Sequence, residues 1–330
     1  MADVAILGAG AFGTALAITL ARFGSWVVLC TRRNSHLEEM KRARANTAYL
    51  AGTLFPSDLE LTCDWAGAVA QAKTVVMAVP SRFARATLAP IVGAIPATAN
   101  LVSVTKGIEQ DSLMTMSQML ADLSPRTTKI AVLSGPGFAA ELAQGLPAAV
   151  VAAAHDENVA RAVQELFAAR RLRVYRSQDV IGVEIGGVVK NVIAIAAGIS
   201  DGLELGSSAR AALITRGIAE IMRLADAAGA RSETIAGLAG MGDLVLTCTG
   251  GLSRNRKLGL GLAHGERPPE PGDGKPVAEG MTNAAAVRKL AERLGVEMPI
   301  VSAVYGVLYE GLSVSAMVDG LLSRELRTEF

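Results

Sequence analysis

Val4-Ala-Ile-Leu-Gly8-Ala-Gly10-Ala-Phe12-Gly13-Thr-Ala-Leu-Ala17 reads as a short buried strand, a G-x-G-x-x-G turn and the first turns of a helix. In this arrangement Gly8 permits the tight turn, Gly10 lets a pyrophosphate reach the backbone, and Gly13 lets helix and strand pack closely. The helix N-terminus then faces the negative charge. Three glycines at this spacing recur by chance, and the weight of the motif comes from its setting between a strand and a helix. The run Val4 to Ala21 is apolar enough to resemble a signal peptide. It lacks a basic stretch before it, has Asp3 where a cation would stand, and carries glycines at turn spacing, so folded structure is expected.

Outward from this stretch, continuous β-rich runs alternate with helix-compatible ones: Trp26–Cys30, Thr74–Val79, Leu101–Val104 and Ile130–Leu133. Unbroken apolar runs of this length predict parallel strands covered on both faces. Ala148–Ala153 and Leu172–Tyr175 add an edge hairpin or further strands. After about Ser177 the pattern becomes helical, with Ala211–Ala228, Met281–Leu294 and Val301–Tyr309 amphipathic or apolar at helical spacing. On Ala211–Ala228, Arg216, Glu220 and Arg223 fall largely off the apolar face. The expected fold class is therefore α/β plus all-α: an N-terminal Rossmann-like doubly wound sheet over 1–178 that binds a dinucleotide, then an α-helical, substrate-binding domain over 179–330. Gly265–Gly274, rich in proline and glycine, is expected to be a mobile loop.

Composition narrows the function further. The 330 residues carry 32 basic and 31 acidic side chains and are 51% hydrophobic, enough for sizeable cores and without a global charge that would attract nucleic acid. Cys30, Cys63 and Cys248 are scattered, which argues against a disulfide framework or a zinc site and fits a reducing cytoplasm. His36, His155 and His264 lie in polar segments without metal-ligand spacing and are expected at the surface. The apolar run Val180–Ile199 is long enough to cross a membrane, yet Glu184, Lys190 and several glycines favour a buried helix of a soluble domain.

Lys190, within that run, is the first candidate acid or base, because an ammonium on an apolar segment costs free energy unless paired or used. Strand ends supply others. Pro80-Ser81, Lys106-Gly107 and Ser134-Gly135-Pro136-Gly137 follow the third, fourth and fifth strands, where ligands of open α/β sheets bind. Asp243 is isolated in a glycine-rich apolar stretch and needs a cation or several donors; Lys190 or Lys106 would serve. Ser253-Arg254-Asn255-Arg256 gathers donors suited to phosphate oxygens, although such a run taken alone is most often an ordinary solvated helix start capped by Ser253. At the end of the second strand, Thr31-Arg32-Arg33-Asn34 holds no carboxylate against a 2′-phosphate, so NADP should be tolerated as well as NAD.

These segments together resemble the bacterial NAD(P)-dependent glycerol-3-phosphate dehydrogenases. The likeness runs through Gly8–Ala17, Val104–Gly107, Ser134–Ala139, Gly186–Ala194, Leu213–Gly217, Gly240–Thr249, Ser253–Arg256, Val277–Gly280 and Gly295–Ile300, nearly the whole chain in order. It implies hydride transfer between NAD(P)H and dihydroxyacetone phosphate to give sn-glycerol 3-phosphate for phospholipid synthesis. It implies Lys190 as the proton-transfer group with Lys106 and Asp243 beside it. Substrate contacts are implied for Lys106, Gly135, Gly137, Lys190, Asn191, Asp243, Thr247, Ser253, Arg254 and Asn255. Cofactor contacts are implied for Gly8, Gly10, Ala11, Phe12, Gly13, Arg32, Arg33, Lys106, Ala139, Arg254, Val277 and Glu279. Ala11 replaces a serine of many relatives and Gly137 a threonine or serine, so any hydroxyl contact from either position is absent. No metal, no nucleic acid and no membrane insertion are expected, and a cytoplasmic homodimer is implied. The alternatives are a lysine dehydrogenase of the 6-phosphogluconate or 3-hydroxyisobutyrate type, which would need a carboxylate clamp in place of Ser253-Arg254-Asn255, and a non-catalytic NAD(P)-binding protein.

Overall fold

The computed structural model of the chain describes residues 2–124, 129–268, 278–325 and 328. The chain forms two compact units, Met1–Glu184 and Ile185–Phe330. In the first, β1 (Val4–Leu7), α1 (Ala11–Arg22), β2 (Val27–Cys30) and α2 (Asn34–Ala43) lead to β3 (Glu60–Thr62), α3 (Trp65–Ala70), β4 (Thr74–Met77) and α4 (Ser81–Leu88). Then come β5 (Asn100–Ser103), α5 (Met116–Leu123), β6 (Ile130–Ser134), α6 (Ala139–Ala143), β7 (Ala148–Ala153), α7 (Glu157–Phe167) and β8 (Leu172–Ser177).

The strands make one sheet in the order β3-β2-β1-β4-β5-β6-β7-β8. From β3 to β6 all pairs are parallel; β7 is antiparallel to β6, and β8 is parallel to β7. Successive side chains of one strand enter different cores, Val4 and Ile6 one, Ala5 and Leu7 the other. This is why the strands read as unbroken apolar runs. The strand order reverses at β1, which places the Gly8–Gly13 turn at the switch point of the sheet. β3, only three residues long, carried too little signal to be read; of the two readings open for β7 and β8, further strands hold and a hairpin does not, because α7 crosses between them.

The first turn of α8 (Val180–Gly202) also belongs to this unit. There the buried Glu184 carboxylate accepts from Ser117 N–H at 2.8 Å and Ser117 Oγ at 2.5 Å, at the start of α5. Burial raises its pKa, against the donors that lower it.

The second unit is helical, as expected. It contains the rest of α8, then α9 (Gly206–Ala227), α10 (Ser232–Ala236), a π-helical turn (Leu238–Gly242), α11 (Asp243–Thr249), α12 (Arg254–Ala263), α13 (Glu279–Leu294), α14 (Pro299–Tyr309) and α15 (Val314–Leu322). The apolar window of α8 is 94% buried, the packing of a core helix. A Cβ on Gly198 would strike the Arg256 carbonyl oxygen and one on Gly259 the Ile195 carbonyl oxygen, so α8 and α12 touch backbone to backbone. Glu220, expected off the apolar face of α9, is instead buried, because its carboxylate accepts from Ile300 N–H at 2.7 Å and Val301 N–H at 3.3 Å and caps α14. Part of the expected loop Gly265–Gly274 lies outside the described residues, as 269–277 do.

The cysteines are free thiols. Cys30 sits in β2 and Cys248 in α11, each fully buried and each pushed up to about 12 by desolvation. Cys63 is partly exposed.

Candidate active site

In the first unit the phosphate cradle is built by close backbone approach. A Cβ on Gly13 would collide with the Gly8 carbonyl oxygen, and one on Gly8, at φ +116°, would lie 2.7 Å from the Ala78 carbonyl oxygen. Over Gly10, by contrast, a Cβ would meet nothing within 4 Å. The residues therefore leave room where a pyrophosphate would lie and hold the turn rigid around it, which fits a dinucleotide. Ala11 and Phe12 start α1 and are half-buried, as is Ala139 at the start of α6. Arg32 and Arg33 are exposed after β2, with their guanidinium groups available to an anion.

Three strand exits are tied together nearby. Thr105 Oγ1, after β5, donates to the Val79 carbonyl at 2.7 Å, and the half-buried Lys106 donates to the Gly135 carbonyl after β6 at 3.0 Å. Lys106, Gly135 and Gly137 thus sit at the carboxyl ends of adjacent strands, the edge where such sheets bind ligands.

His36 is not at the surface. It is 6% exposed, with Nδ1 3.0 Å from Thr31 Oγ1 and Nε2 3.1 Å from Asn46 Oδ1. Asn46, fully buried, donates through Nδ2 to the Ala9 carbonyl at 2.9 Å and to Thr14 Oγ1 at 2.8 Å. The sequence hid this network because its partners lie 10 and 37 residues apart. His155 and His264 are exposed, as expected.

In the second unit Lys190 and Asp243 form a buried ion pair. Lys190 Nζ lies 3.0 Å from Asp243 Oδ1 and donates to Thr247 Oγ1 at 2.7 Å, with side-chain exposures of 8% for Lys190 and 2% for Asp243. Thr247 Oγ1 in turn donates to the Asp243 backbone carbonyl at 2.6 Å, which fixes its lone pairs toward the ammonium. The π-helical turn before Asp243 packs on α8 at Gly186, one helical turn before Lys190, where a Cβ would lie 2.7 Å from the Ala239 carbonyl oxygen. This contact sets the spacing between α8 and α11 and so the ion pair. Such turns often mark functional sites.

Next to Lys190, Asn191 Oδ1 accepts from Asn255 Nδ2 at 2.8 Å, and Asn255 Oδ1 accepts from Gly280 N–H at 2.9 Å. Ser253 Oγ caps α12 through Arg256 N–H at 3.2 Å. Of the Ser253-Arg254-Asn255 set only Arg254 is exposed; Ser253 and Asn255 are buried and engaged within the unit. Asp201, missed in the sequence reading, grips Arg256 Nε at 2.7 Å and Arg210 at 2.8 Å, and thereby anchors the first turn of α12. Glu279 begins α13; Val277 lies outside the described residues.

Comparisons with known proteins show which family the chain is similar to. Residues 3–160 match the family described as NAD-dependent glycerol-3-phosphate dehydrogenase N-terminus, and residues 179–319 match its C-terminus. A protein of Anaeromyxobacter dehalogenans named glycerol-3-phosphate dehydrogenase [NAD(P)+] is 48% identical over 330 residues, covering 98% of each chain. One of the same name from Paucimonas lemoignei is 49% identical over 333 residues, covering 99% of this chain and 98% of its own. The crystal structure of glycerol-3-phosphate dehydrogenase from Coxiella burnetii superposes with a TM-score of 0.93 at 40% identity, covering 98% of this chain and 99% of that one. With both units matched, the chain belongs to the NAD-dependent glycerol-3-phosphate dehydrogenase family.

Proposed function

We propose that this protein reduces dihydroxyacetone phosphate to sn-glycerol 3-phosphate with NADH or NADPH, and runs the reverse oxidation. The observation that carries the reading is the buried Lys190–Asp243–Thr247 constellation in a chain of this family. A reduced nicotinamide, when bound, supplies the hydride. Lys190 does the proton work. As charge develops on the carbonyl oxygen of the substrate, the ammonium stabilises it and passes a proton to it; in reverse, the neutral amine takes the hydroxyl proton. Asp243 Oδ1 and Thr247 Oγ1 each hold a hydrogen of the ammonium and so set its direction.

Residues 1–178 serve as the dinucleotide-binding part, through Gly8, Gly10, Ala11, Phe12, Gly13, Arg32, Arg33, Lys106 and Ala139. Residues 179–330 serve as the substrate part. Arg254 meets the substrate phosphate, and Ser253, Asn255 and Asn191 shape that seat; Arg254, Val277 and Glu279 complete the cofactor contacts. Support for Arg254 is its exposed head on a helix turn anchored by Asp201. The product feeds phospholipid synthesis, and the protein works as a cytoplasmic homodimer without membrane insertion. Exposed apolar side chains of the second unit, such as Met241, Val245 and Leu252, support an association surface, and the free thiols fit a reducing compartment.

The test is oxidation of NADH and NADPH with dihydroxyacetone phosphate as the only substrate. Turnover is expected, and Lys190→Ala should lower kcat by roughly 10²–10⁴-fold while leaving cofactor affinity intact. Normal cofactor binding without turnover in the wild type would overturn the reading.

A further inference from the structure

The buried pair His36–Asn46 has no part in proton transfer and touches no residue assigned to the substrate, yet it reaches directly behind the phosphate turn. We propose that Asn46, held in place by His36, is a positioning residue that aims the Gly10 N–H at the cofactor's pyrophosphate. The inference rests on the reading that the Gly8–Gly13 cradle holds a dinucleotide.

The geometry follows from the peptide plane. In a trans peptide the C=O of one residue and the N–H of the next point in opposite directions, and the chain has no cis bond among its described residues. Asn46 Nδ2 draws the Ala9 carbonyl inward at 2.9 Å, so the Gly10 N–H points away from Asn46, and a Cβ on Gly10 would meet nothing within 4 Å, which leaves a ligand room to approach this residue. The same Nδ2 holds Thr14 in the first turn of α1, which joins the loop to the helix whose N-terminus faces the phosphate.

Donor counting then gives His36 its role. Asn46 gives both amide hydrogens to Ala9 and Thr14, so the atom facing His36 Nε2 is the acceptor Oδ1, and Nε2 must carry a hydrogen. A rotated Asn46 amide would set oxygen against the Ala9 carbonyl oxygen and nitrogen against the Nε2 hydrogen. The Ala9 carbonyl excludes the rotated amide, and an imidazole carrying its hydrogen on Nε2 holds Asn46 in that same orientation, the one that pins the phosphate turn. His36 is itself fixed by Thr31 on the β2 exit and by the edge of the Tyr49 ring, 5.4 Å between centroids.

The test measures dissociation constants of NADH, NADPH, ADP-ribose and adenosine, together with kcat at saturating NADPH. In Asn46→Ala and in His36→Phe, affinity for the three pyrophosphate ligands should fall roughly tenfold or more, while adenosine binding and saturated kcat stay within about threefold. His36→Gln keeps a nitrogen donor at the Nε2 position and should restore most of the affinity that His36→Phe loses. Should Asn46→Ala fail to fold, the contrast between His36→Phe and His36→Gln decides alone. Unchanged ADP-ribose affinity in the folded variants, or equal losses for adenosine and ADP-ribose, overturns the inference. A wild type that binds NADPH separates that result from failure of the cradle reading, which would show as no cofactor binding at all.

Discussion

Lys190 was legible because a charge on an apolar helix has few explanations, and its partner Asp243 was legible for the same reason. Their coupling carries an energetic expectation. Removing one partner of a buried ion pair leaves an uncompensated charge and costs about 3–5 kcal/mol, whereas replacing both is much less damaging. Asp243→Asn should therefore lose about 3 kcal/mol in urea unfolding, and the double variant Lys190→Met with Asp243→Asn should regain part of it; a double variant no more stable than the single would contradict the buried-charge account. Other residues stayed hidden for a physical reason. His36 reads as a surface histidine beside Arg32, Arg33 and Glu38, and only the fold brings Asn46 and Thr31 around it. Asn255 reads as a phosphate donor, and the fold turns its amide to Asn191 and Gly280.

At the scale of the element, helix and strand periods were readable, whereas the ends where one element serves another were not. The glycines of α8 argued only against a membrane span; their use is the backbone contact with α12, which needs a partner some 60 residues away. Glu220 shows the same limit, since the N–H groups it caps belong to α14, 80 residues on. Burial outweighs those donors and the nearby Arg223 and Arg324, and pushes its pKa from 4.5 to about 7. The folded chain then holds a proton that the unfolded chain has released between pH 4.5 and 7. Folding stability from this group is thus greatest below pH 4.5 and declines as pH rises to about 7, by at most ~3 kcal/mol. Glu220→Gln should flatten that slope in denaturant unfolding followed across the same range, and an unaltered slope would remove Glu220 as its source.

For the molecule as a whole, the alternation of strands and helices announced a parallel sheet and the change near Ser177 a helical part. The antiparallel turn into β7 was beyond reach, because the connection from β6 carries only the five-residue α6 and nothing in its composition sets direction. Thiol chemistry checks the global arrangement. A maleimide reagent should label Cys63 in the native protein, while Cys30 and Cys248 should react only on opening or unfolding; rapid labelling of either in native buffer would contradict their burial. One protected thiol lies in each unit, so mass spectrometry of the modified peptides would follow the two units separately. Cys248 offers more than a global readout. It is the chain neighbour of Thr247, and its modification rate would serve as a clock for how often the seat of Lys190 comes apart in an otherwise native enzyme.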